Sequence, residues 1–115
     1  MIRPVSDAEI AVISTMIQTA APDTLPAGLA ATVPGLQVSG YCGCGCASVD
    51  FLAERTEKST ILVDADARSS EGKFVGLILW GYDDVITGLE IYGSDGDIAV
   101  LPAIDTIQPV SERLS

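Results

Sequence analysis

Cys42, Cys44 and Cys46 are the only cysteines of the chain, and single glycines separate them in the stretch YCGCGCAS, residues 41–48. Thiols at alternate positions of an extended chain project to one side, so the run has the layout of a metal site, a redox site or a crowded turn. Structural zinc takes four ligands in a tetrahedron, usually from two Cys-x2–4-Cys pairs. This chain offers three thiols and no histidine, so a fourth ligand would have to be a carboxylate such as Asp50, a water or a second subunit. Cu(I) is softer and needs fewer ligands, which makes it a better match than zinc. The metal reading therefore assigns Cu or Zn to Cys42, Cys44 and Cys46.

Redox or nucleophilic use needs a thiolate stabilised by a nearby cation, a helix N-terminus or an imidazole. No imidazole exists, and the nearest cation after the run is Arg55. Cys-x-Cys spacing can close a small, strained disulfide, so reversible oxidation stays open. The third use is structural. Gly40, Gly43 and Gly45 allow the backbone angles of a tight turn or bulge, and free cysteine buries as a small apolar group. The residues favour this use, with the thiols in a turn between strands at 36–42 and 47–53 and Cys44 at its tip.

Acid is the other conspicuous resource. Asp and Glu number 16 against 6 Lys and Arg, a net charge of −10. No basic residue stands between Lys73 and Arg113, a span that holds Asp83, Asp84, Glu90, Asp95, Asp97 and Asp105. Such a surface repels phosphate backbones and anionic membranes, which argues against nucleic-acid and membrane binding. Its functional use would be a site for a basic partner, carried by Asp83, Asp84, Glu90, Asp95 and Asp97 together with Trp80; its other use is solubility. Trp80 shares one strand face with Ile78 and Phe74, a core or interface pattern. Asp64 and Asp66 in DADARSSEG begin like a calcium loop, but Ser69 stands where that loop needs glycine and Glu71 comes too early. A polar turn is the expectation there, and SDGD at 94–97 is a turn by the same reasoning. No phosphate-binding loop, dinucleotide pattern or nucleophile elbow occurs, and the commonest general acid-base is missing with histidine. No catalytic residue is assigned.

The elements that must position these residues can be read from periodicity. SDAEIAVISTMIQTAA begins with Ser6 and Glu9, a capping-box pair, and Ile10, Ile13, Ile17 and Ala20, widened by Met16 and Ala21, form its apolar stripe. A short second helix is expected in DTLPAGLAATVPG, ended by Pro34 and Gly35. From residue 36 the period becomes two. LQVSGYC, ASVDFLA and ILVDAD read as strands, with a polar loop at ERTEKST and a turn at ARSSEG. KFVGLILWGY and VITGLEIYG flank Asp83 and Asp84 as a hairpin. In the latter, Val85, Thr87, Leu89 and Ile91 share one face and Gly88, Glu90 and Tyr92 the other. The closing segment AVLPAIDTIQPV carries at most a short strand. The whole is a single α+β domain over residues 1–115, with one or two N-terminal helices on one face of an antiparallel sheet of about four to five strands.

No segment reaches the roughly eighteen apolar residues that span a bilayer, and MIRPVSDAEI lacks the apolar stretch of a secretory signal. A cytoplasmic protein with reduced thiols is expected. The apolar strands around Trp80 suggest a homodimer through that part of the sheet or through an edge strand.

The segments CGCGCASVDF, GLILW, ITGLEIY and LP together resemble a group of small uncharacterised bacterial proteins. These have a Cys-Gly-Cys-Gly-Cys run followed by a small residue or proline, and a Leu-Glu-Ile/Val-Tyr strand. The likeness covers residues 35 to 103, and Ala47 stands where proline is frequent in the group. It implies a bacterial cytosolic protein and assigns no catalytic residue. The expected function is a non-enzymatic protein-interaction module of accessory or immunity type, without a cofactor. The alternative is a thiolate metal-binding or redox-sensing protein that uses the CGCGC run.

Overall fold

The computed structural model describes residues 3–19, 28–41, 49–51, 60–69, 71–82, 85–93, 96–97 and 101–109. Helix α1 spans Asp7–Thr19 and begins where the capping pair predicts. The Ser6 hydroxyl accepts from the Glu9 amide at 3.1 Å, and the Ser6 amide donates to Glu9 Oε1 at 2.8 Å. Two orphan amides of the first turn are thereby satisfied. The buried stripe is Glu9, Val12, Ile13 and Met16, with Ile10 and Ile17 only partly covered. It is rotated from the expected Ile10–Ile13–Ile17 line toward Val12 and Met16.

Glu9 is 5% exposed, and a buried carboxylate needs a partner. Arg3 supplies it, as the guanidinium donates from both terminal nitrogens to the two Glu9 oxygens at 2.9 Å each. Burial works to raise the Glu9 carboxyl. The Arg3 fork and the Ser6 donors outweigh it and hold the group below the usual glutamate value.

The second helix, α2, is one turn at Leu29–Thr32, continued by a 3-10 turn at Val33–Gly35. Pro34 and Gly35 sit inside that tighter turn, one step later than the stop the sequence suggests. Proline fits here because the turn does not use its missing amide.

Eight strands form one sheet: β1 Arg3–Pro4, β2 Gln37–Tyr41, β3 Val49–Phe51, β4 Thr60–Arg68, β5 Phe74–Tyr82, β6 Val85–Gly93, β7 Gly96–Asp97 and β8 Gln108–Pro109. Their order is β1-β2-β3-β6-β5-β4-β8, with β7 beside β6, and every pairing is antiparallel. The α+β class expected from the sequence is therefore present, but the strand count exceeds four to five. The excess comes from β1, β7 and β8, two residues each, too short to leave a period in the sequence. The turn expected over ARSSEG also starts later, since Ala67 and Arg68 remain in β4 opposite Val75 and Phe74.

Both helices lie on one face. Val12, Ile13, Met16, Leu29 and Val33 pack with Val63, Ala65, Ala67, Val75, Leu77, Leu79, Leu89, Ile91, Val49, Phe51 and Val38 in one core. The alternation of β6 carries a bulge. Trp80 pairs with Gly88 and Gly81 with Ile86, so Thr87 is the extra residue, and Ile86 joins Thr87 in the buried set. Gly81 is required at this kink, since a Cβ there would overlap the Val85 carbonyl oxygen and lie 2.6 Å from Leu62 Cδ1.

Candidate functional site

The helices cover one face of the central strands. On the other face, β4, β5 and β6 present three adjoining cross-strand rows. The middle row is Asp64, Ile78 and Glu90. Above it lie Ile61, Trp80 and Gly88; below it lie Asp66, Gly76 and Tyr92. Among the described residues, no helix packs on these rows. The alternation of β4 creates half of the arrangement: Val63, Ala65 and Ala67 go to the core, so Asp64 and Asp66 go to the outer face.

Gly76 leaves a gap in this lattice, and an aromatic ring occupies the space beside it. A Cβ on Gly76 would overlap Cζ, Cε1 and Cε2 of Tyr92, so the Tyr92 ring lies flat across the neighbouring strand. Phe74 meets the same ring edge-on, with centroids 6.1 Å apart and planes at 61°. One row away, the Trp80 indole N–H donates to Glu90 Oε1 at 3.1 Å. That bond fixes the indole edge beside a carboxylate.

The outer face is rich in acid. Asp50, which pairs with Gly88 across the β3–β6 junction, adds to Asp64, Asp66 and Glu90. Arg68, opposite Phe74 at the end of β4, is the one cation on the described part of this face. The Oδ1 atom of Asp64 is buried and has no hydrogen-bond partner among the described residues. A carboxylate oxygen in that state is an acceptor awaiting a donor. Ile61, 48% exposed, extends the face as an apolar step beside Trp80.

Of the residues singled out in the sequence, Trp80 and Glu90 meet directly. Asp97 is placed by its backbone alone, while Asp83, Asp84, Asp95, Cys42, Cys44 and Cys46 lie outside the described residues. Asp64 and Asp66 stand in β4, as the strand expected over ILVDAD has them; the polar turn considered for DADARSSEG is corrected, since the strand runs on to Arg68. Their signal was the alternation Val-Asp-Ala-Asp-Ala, in phase with Leu-Ile-Leu of β5 and Leu-Glu-Ile of β6. Ile78 and Tyr92 join the site for the same reason. Among the described residues no three His, Cys, Asp or Glu side chains converge as metal ligands, and no helix is long and apolar enough to cross a membrane.

No protein-family model, no curated protein and no solved structure matches this chain.

Proposed function

We propose that this chain is a non-enzymatic protein-interaction module, of accessory or immunity type, that docks a basic protein on the outer face of its sheet. One observation carries the reading: Asp64, Asp66 and Glu90 stand in register around Ile78, flanked by Trp80 and Tyr92, on the face opposite the helices. Aromatic anchors with an apolar centre are what interfaces use for affinity. Acid around them selects the sign of the partner and steers its approach. A second copy of the chain fits this face poorly, because dimerisation across it would oppose like charges on molecules of net charge −10. If the homodimer forms, an edge strand is its better route. A cytoplasmic setting belongs to the same proposal.

The test is capture of host proteins on immobilised protein, run in parallel with a D64N/D66N/E90Q variant of unchanged circular dichroism. A partner with excess Lys and Arg, retained by the parent, released by salt and lost with the variant, is expected. Capture that is indifferent to both salt and the variant contradicts the reading. Sedimentation of the parent alone separates self-association from partner binding.

A further inference from the structure

We infer that the outer face is selective for arginine over lysine, and that the partner element is an extended segment with arginine at alternate positions. The inference rests on the docking role just proposed and specifies its chemistry. Asp64 and Glu90 occupy one row with Ile78 between them, two strand spacings apart, or about 9.5 Å between backbones. A guanidinium presents paired N–H donors in one plane and can serve carboxylates on two strands at once, whereas an ammonium is a single point of charge.

The surroundings favour the same group. The Trp80 indole is pinned by its bond to Glu90 Oε1 at 3.1 Å, so an aromatic plane and a carboxylate are held side by side. Guanidinium stacks on aromatic faces while forking to carboxylates in its own plane, a combination that a strongly hydrated ammonium performs less well. Ile78 and the exposed Ile61 give the aliphatic stem of an arginine an apolar floor. Asp64 Oδ1, buried without a hydrogen-bond partner among the described residues, is an acceptor that an inserted N–H could satisfy. Asp66 follows Asp64 by two residues on the same strand, about 6.8 Å along it. Residues at alternate positions of an extended segment repeat at that same interval, so a second arginine falls beside Asp66.

The chain has a single tryptophan, so fluorescence excited at the red edge of the absorption band, where tyrosine does not absorb, reports Trp80 alone. The experiment titrates the full chain with a short capped peptide that alternates arginine with threonine, and with its lysine counterpart at equal charge and ionic strength. The arginine peptide is expected to bind roughly fivefold or more tightly and to shift the Trp80 emission. In E90Q, whose amide oxygen can still accept the indole N–H, that preference is expected to fall at least twofold while the far-ultraviolet circular dichroism stays unchanged. Equal affinity for the two peptides, or a preference that survives E90Q, overturns the arginine selectivity and leaves the basic-partner reading standing. Binding of neither peptide by folded protein overturns both.

Discussion

Replacing Gly76 by alanine puts a methyl group where three atoms of the Tyr92 ring now lie. The ring is the far end of a side chain, so it can swing away about χ1, and the steric clash itself is avoidable. What is lost is the cover the ring gives to the strand and its edge-on contact with Phe74 at 6.1 Å. An aromatic pair and a displaced half-buried ring together are worth about 2 kcal/mol. Alanine recovers about 0.5–1 kcal/mol of backbone entropy over glycine, so the net destabilisation is about 1–1.5 kcal/mol. With ring and contact already removed in Tyr92→Ala, the same Gly76→Ala change meets open space and should stabilise by about 0.5 kcal/mol. The sign reversal is the prediction, a coupling of about 2 kcal/mol in a double-mutant cycle. Urea unfolding followed by circular dichroism measures it, and the single variant should melt roughly 4–6 °C lower. A neutral or stabilising Gly76→Ala in the parent would refute the reasoning, and with it the account of how the outer aromatics are held.

Gly81→Ala should behave differently, because the added methyl overlaps the Val85 backbone carbonyl. A cost of about 3 kcal/mol or more is expected, and no side-chain deletion should rescue it. The Arg3–Glu9 pair predicts an acid limb in the stability curve. The folded Glu9 carboxyl lies below its ordinary value of 4.5, so its contribution is present above that value and lost as pH falls through the folded pKa. Glu9→Gln should therefore cost about 1–2 kcal/mol at neutral pH, discounted for the partly exposed Arg3, and progressively less as pH falls below the ordinary glutamate value; a loss that does not shrink with acidification would contradict it. If the cysteine run shapes a turn, purified protein carries no stoichiometric copper or zinc, and at most one thiol reacts quickly with Ellman's reagent. A one-to-one metal ratio that is lost on changing Cys42, Cys44 or Cys46 would establish the metal use instead.

Local physics was the most legible part of the fold in the sequence. Ser6 and Glu9 announced the start of α1, since a capping box needs only residues three apart. The β5–β6 hairpin was readable because apolar runs of strand length flank a two-residue connection, and both strands begin and end within a residue of where the pattern put them. Features that depend on pairing across the chain were not readable. Arg3 reaches Glu9 only because β1 is drawn against β2 at Val38. The bulge at Thr87 depends on the register between β5 and β6. ILVDAD was readable as a strand, but its continuation through Ala67 and Arg68 was hidden by composition, for the polar residues that follow resemble a turn, and the pairing of Arg68 with Phe74 keeps the strand going. Glu90 and Trp80 were both singled out as residues, but their bond joins positions ten apart across the hairpin, which a face assignment alone does not give.

The central claim is the place of docking, and a nuclear magnetic resonance footprint tests it directly. The arginine–threonine peptide, or the captured partner, is titrated into isotopically labelled protein and the perturbed signals are mapped. The account predicts perturbation of the Trp80 indole N–H and of the Asp64, Asp66, Ile78, Glu90 and Tyr92 signals, with α1 unaffected. A footprint on α1, with the Trp80 indole unmoved, would contradict it.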